Sequence, residues 1–93
     1  MNQPLPPDVV VYRQTPVFTE TTLPEGLRRR HQTKAGVWGV IMVTEGQLRF
    51  RRLDPPEETV LDPASPAIVA PEEPHEVEPL GPVRFFIEFH AVP

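Results

Sequence analysis

The chain is 93 residues long, carries a formal net charge of −4 and contains no cysteine. One domain fits that length; disulfides, thiolate metal sites and a cysteine nucleophile are excluded, and an acidic chain without a long basic region lacks the positive footprint that nucleic acid demands. Fourteen prolines against five glycines interrupt helical runs throughout, so the apolar stretches between them read as strands of an all-β domain.

Residues 1–8 read as a proline-rich arm, mobile or strapped down, attached to a single domain that fills the chain. The arm has neither the charged nor the apolar region of a signal peptide. No apolar run approaches the ~20 residues needed to cross a bilayer, so the expected setting is the cytoplasm, with no membrane partner. Val9-Val10-Val11-Tyr12 is a first strand, β-branched and aromatic. Thr15-Pro16-Val17-Phe18-Thr19 is a second, broken by its proline and placed at an edge. Leu23-Pro24-Glu25-Gly26 marks a turn. The alternation that follows puts Leu27, Arg29, His31 and Thr33 on one face of a strand, with Arg28 and Arg30 on the other.

Val37-Trp38-Gly39-Val40-Ile41-Met42-Val43 is the longest apolar run and is read as a central strand buried on both faces. Glu45-Gly46 reads as a tight hairpin turn, after which Leu48 and Phe50 point inward and Arg49 and Arg51 outward. Asp54-Pro55-Pro56-Glu57-Glu58 is an acidic loop. Thr59-Val60-Leu61 and Ala67-Ile68-Val69-Ala70 are short strands joined through Asp62-Pro63-Ala64-Ser65-Pro66. Pro79-Leu80-Gly81-Pro82 is the last turn. In the closing strand Val83, Phe85, Ile87, Phe89 and Ala91 share one face, and Arg84, Phe86, Glu88 and His90 the other. Roughly eight or nine short strands with turn signals between them predict a closed barrel or jelly roll. An interior this small favours self-association, so a homodimer is expected.

Chemistry is expected around Pro71-Glu72-Glu73-Pro74-His75-Glu76-Val77, where two prolines stiffen the backbone just before an imidazole at the mouth of a strand. The titratable candidates are the three histidines, His31, His75 and His90, together with Glu88. Converging from separate strands, His31, His75 and Glu88 would form a divalent-metal site for zinc, iron, nickel or manganese with positions left open for water or substrate. The same side chains would equally serve a metal-free pocket that hydrogen-bonds a small molecule or oxyanion, with Trp38 as a wall and His90 and Arg29 as further ligand contacts. Blander roles compete: Glu88 paired with Arg84, His90 at a rim, His31 against Glu73 or Glu76, and Glu72, Glu73, Glu76 and Glu78 as a solvated acidic edge. The spacing alone does not choose among them. The dispersed glycines supply neither a phosphate-cradling loop nor a G-x-S-x-G elbow, which argues against a nucleotide-dependent enzyme.

Arg30-His31, Gly36-Val37-Trp38-Gly39, Glu45-Gly46, Pro71-Glu72-Glu73-Pro74-His75 and Ile87-Glu88-Phe89 follow one another in an order that resembles the small single-domain cupins of the TehB/YeaR-like type, associated by name with tellurite resistance. The resemblance runs from Thr15 to Phe89. It implies a jelly-roll barrel, often dimeric, whose metal or ligand lies inside, with His31 in the first motif, His75 in the second and Glu88 at an acidic position of the closing strand. Thr33 stands where a metal cupin carries its second histidine, and Gly39 near the expected glutamate, so half of that ligand set is absent. Such a domain can be coupled to an S-adenosylmethionine-dependent methyltransferase; the resemblance does not extend to that part, and its activity is not expected of these residues.

Overall fold

The computed structural model describes residues 4–93, so the first three residues of the expected arm lie outside the described residues. The strands, in chain order, are β1 (Val10–Gln14), β2 (Phe18–Thr19), β3 (Trp38–Leu53), β4 (Pro56–Leu61), β5 (Ala67–Val69) and β6 (His75–Ala91). A single 3-10 turn over Glu25–Arg28 is the helical element among the described residues, where no helix is long and apolar enough to cross a membrane. The domain is all-β. Its strands form one antiparallel sheet in the order β1-β6-β3-β4, with β2 added to β6 and β5 to β3.

Two long strands organise it. β3 has 16 residues and β6 has 17, and they pair from Trp38 opposite His90 to Arg52 opposite His75. Turns were expected inside each, at Glu45-Gly46 and at Pro79–Pro82, but both strands run through. The two signals face each other instead. The register slips there, with Gly46 opposite Val83 and Leu48 opposite Pro79, and both Gly46 (φ 78°) and Gly81 (φ 90°) take backbone conformations that favour glycine. Facing irregularities bend both strands together. One ladder thereby becomes two half-sheets whose apolar faces close on each other: Ile41, Val43, Val69, Phe85 and Ile87 from one half join Leu48, Phe50, Leu61 and Val77 from the other in a single core. The expected closed jelly-roll barrel is not formed. Among the described residues no ladder joins the outer strands β1 and β4, and the sheet stays open.

Leu48 and Phe50 are buried. Arg49 and Arg51 face outward into a cross-strand ladder with Glu78 (2.5 Å), Glu58 (3.0 Å) and Glu76 (3.4 Å), so part of the supposed solvated acidic edge is paired. The first half of β3 is central, flanked by β5 and β6. Leu27–Thr33 is not a strand. Leu27 is buried inside a 3-10 turn capped by Pro24, and Leu23 just ahead of the turn is buried with it, so a turn replaces the expected alternation. Only His31 returns to extended pairing, as an isolated bridge to His75.

Candidate functional site

The site is built from the start of β6 outward. His31 and His75 exchange two backbone hydrogen bonds, at 2.7 and 2.8 Å. Residues directly opposite on antiparallel strands share a face, and the two imidazoles meet edge-on with centroids 5.4 Å apart. His75 is only 3% exposed. Its Nδ1 lies 2.9 Å from the carbonyl oxygen of Glu73; a carbonyl only accepts, so the proton sits on Nδ1 and a neutral ring offers its lone pair at Nε2.

The turn carrying His75 is clamped from beneath. Buried Arg52 donates to Glu73 Oε1 (2.6 Å) and to the Ile68 carbonyl (2.8 Å), with its guanidinium 4.9 Å from the centre of the Phe50 ring. Glu73 Oε1 also accepts the Ala70 N–H at 3.0 Å, and the Leu53 N–H bonds the Pro74 carbonyl at 3.1 Å. Beyond the two prolines, a buried ion pair and three further hydrogen bonds tie this turn to β3 and β5.

His31 stands where cavities meet. One of ≈ 240 Å³ lies among Arg13, Phe18, Leu27, Ile87 and Phe89; another of ≈ 180 Å³ lies among Tyr12, Arg13, Thr33, Lys34 and Phe89. His31 lines both. Its Nδ1 is buried without a hydrogen-bond partner, an arrangement that is rare unless a ligand or water completes it. The chain carries 13 acidic residues, yet none lines either cavity. The two cations there, Arg13 and Lys34, make no ion pair among the described residues. A cavity of ≈ 380 Å³ elsewhere holds Arg52, but Glu57 and Glu73 already neutralise that cation.

Burial holds both imidazoles below the ordinary histidine pKa. For His75 the Glu73 carbonyl works against that trend, while the neighbouring His31 and Arg52 add to it. The unfolded chain accepts protons at the ordinary value and the folded chain resists them. The histidines' contribution to stability is therefore whole above about pH 6.5 and is lost as the pH falls below it, because protons bind preferentially to the unfolded state. Chemical denaturation on either side of that pH is expected to show the decline, and a flatter slope in His75→Asn; an unchanged slope would assign the decline to other groups.

The remaining predicted residues go elsewhere. On β6, Ile87 and Phe89 face the cleft, so Glu88 and His90 face away, opposite Val40 and Trp38 of β3. Glu88 Oε1 and His90 Nε2 pair at 3.3 Å, so Glu88 meets His90 rather than Arg84. Trp38 is half-buried beside them and lines neither cavity at His31. Arg29, 81% exposed, reaches Glu25 from the 3-10 turn and lines neither cavity either. The triad of His31, His75 and Glu88 is thus not assembled; among the described residues no group of three His, Asp or Glu side chains is placed to hold a metal ion. Sequence reasoning passed over Arg13 and Lys34. The one available signal was a cation directly ending the apolar run of the first strand.

A family model described as the TehB-like domain matches residues 13–87. The probable S-adenosyl-L-methionine-dependent methyltransferase TehB of Haemophilus influenzae strain KW20/Rd is 36% identical over 79 residues, covering 80% of this chain and 28% of that protein. Its counterpart from strain 10810 is 35% identical with the same coverage. The chain therefore spans well under a third of the curated relatives it matches. The crystal structure of TehB from Haemophilus influenzae superposes with a TM-score of 0.84 at 30% identity, over 92% of this chain and 32% of that one. A protein of Escherichia coli strain K12 superposes with a TM-score of 0.88 at 24% identity over 98% of both chains, a likeness of fold. The expected divalent-metal cofactor is overturned: His31 and His75 meet but Glu88 does not join them, and the relatives are named for S-adenosyl-L-methionine.

Proposed function

The chain belongs to the TehB-like domain family, and from that premise we propose that its bent sheet works as a cupin-like cradle for a small organic anion, a carboxylate with an apolar body, in the cleft at His31. One observation carries the reading: His31, whose buried Nδ1 has no partner, lines a cleft that holds no acid and two cations without an ion pair among the described residues, in a protein of net charge −4. Arg13 and Lys34 at the rim attract and fork the carboxylate. Neutral His31 contributes a directional hydrogen bond, and Phe18, Leu27 and Phe89 receive the apolar portion. The protein is read as a cytoplasmic binding or sensing module.

The test is an NMR titration following His31, Arg13 and Phe89 resonances. Benzoate and phenylacetate are expected to bind, benzamide much more weakly, and inorganic oxyanions such as tellurite or sulfate weakly because they lack the apolar portion. Arg13→Gln is expected to weaken benzoate by about tenfold, or ~1.4 kcal/mol, and His31→Ala to remove saturable binding. Equal binding of benzamide and benzoate would sink the reading.

A second reading follows from the relatives' name: the segment shared with them contributes to S-adenosyl-L-methionine binding. The same titration decides it. In the cleft a sulfonium meets Arg13 and Lys34 and no carboxylate, so the organic-anion reading expects the methyl donor to bind less well than benzoate.

A further inference from the structure

We infer that β1 is an interface strand, and that the outward edge of Val10–Gln14 pairs antiparallel with the same strand of a second copy of this chain. β1, β2, β4 and β5 are all edge strands, and three of them are short or blunted. β2 has two residues and follows Pro16; β5 has three and follows Pro66; β4 opens with Pro56, Glu57 and Glu58. Short length, proline and charge are the devices by which an edge discourages another strand from adding.

β1 has five residues with no proline, lysine or acid among them. It is bonded to β6 on one side, and among the described residues no strand lies on the other. Val10, Val11 and Tyr12 are 49, 47 and 56% exposed. Val92, also exposed, follows the Ala91 that pairs with Val10. An open row of backbone donors and acceptors calls for an extended strand as its occupant.

The flanking charges identify which strand. Asp8 precedes the apolar run Val9–Tyr12 and Arg13 ends it. Antiparallel self-pairing about a two-fold axis between Val10 and Val11 sets these valines against each other and brings Asp8, in the turn just ahead of β1, toward Arg13 of the other copy. Arg13 has no carboxylate partner among the described residues of one chain, and an interior this small gains from the added burial. Because Tyr12 and Arg13 also rim the His31 cleft, the second copy stands at its mouth. Arg13 serves both the pairing and the cleft, so association is measured without added carboxylate, and loss of benzoate binding leaves the pairing to be judged on sedimentation and β1 exchange alone.

Sedimentation velocity from micromolar to millimolar concentration, combined with amide exchange over β1, tests the inference. Expected are a concentration-dependent dimer and β1 amides whose protection rises with the dimer fraction. Asp8→Arg is expected to weaken association by at least about tenfold, and Asp8→Arg combined with Arg13→Asp to recover it. Val11→Lys places a charge on a side chain already half exposed, so it is expected to stay folded by circular dichroism and sediment as a monomer. A monomer at millimolar concentration overturns the proposal. So does a dimer whose β1 amides exchange as fast as in dilute solution, failure of the charge-swapped double variant to recover association, or a monomer that takes up an unrelated strand peptide instead.

Discussion

Gly46→Ala is expected to leave little folded protein. A Cβ built at Gly46 lies 2.1 Å from the Pro82 carbonyl oxygen and 3.1 Å from the Val83 Cα. Those atoms are backbone of the facing strand, at the point where both long strands bend, so no side-chain rotation relieves the contact. The φ of 78° adds the usual left-handed penalty of roughly 1–2 kcal/mol for a residue with a side chain. The strands must separate where the core depends on their approach, with Val83 and Phe85 immediately beyond. A loss above about 4 kcal/mol is expected, most of the roughly 5–15 kcal/mol that a domain commonly possesses. Gly81→Ala is the matched control. Its φ is 90°, but nothing lies within 4 Å of the added carbon, so only the backbone term applies and the variant should fold with a lowered melting temperature. Urea denaturation of both variants separates steric exclusion from conformational strain. Equal, mild losses would mean that the bend is not formed as described.

The two glycines also show what the sequence conveys and what it conceals. Glu45-Gly46 and Leu80-Gly81 do mark backbone that departs from a straight strand, and that much was legible. A turn and a bulge draw on the same residue types, since both need a positive φ and a local break in pairing. Only the partner across the ladder decides between them, and the partner is 37 residues away. Two turns therefore became one bend, the strand count fell, and a barrel became an open folded sheet.

The site was partly legible for related reasons. His31 and His75 meet because each follows an element that fixes its exit, the 3-10 turn before one and the Arg52-clamped proline turn before the other. Glu88 misled because its chemistry was judged apart from its parity: Ile87 and Phe89 face inward, which commits Glu88 to the other side. Arg13 escaped notice because a bulge between Val11 and Arg13 shifts the register of β1, so simple alternation assigns it the wrong face. The cleft's clearest attribute, the absence of acids from its lining, is a property of three-dimensional neighbourhood and has no counterpart in composition.

Arg52→Met should be the most damaging change that leaves the backbone conformation untouched. The side chain is 6% exposed and holds Glu73 at 2.6 Å and the Ile68 carbonyl at 2.8 Å. Methionine fills similar volume but leaves Glu73, itself largely shielded, without its cation. Breaking one half of such a pair costs about 3–5 kcal/mol, more than the modest net value of the intact pair, because the remaining charge stays desolvated. Glu73→Gln is expected to lose only about 1–2 kcal/mol, since its amide oxygen still accepts from Arg52 and from the Ala70 N–H. The functional readout differs from the stability readout. With the clamp gone the turn over residues 71–74 loosens, His75 loses its fixed distance to the Glu73 carbonyl, and the bridge to His31 is the first pairing to open. Imidazole resonances of His31 and His75 should broaden in Arg52→Met at temperatures where the remaining strands are still folded, while Glu73→Gln keeps them sharp. Should both variants unfold in a single step with sharp imidazole signals until the midpoint, Arg52 stabilises the core as a whole and does not separately position the histidine pair.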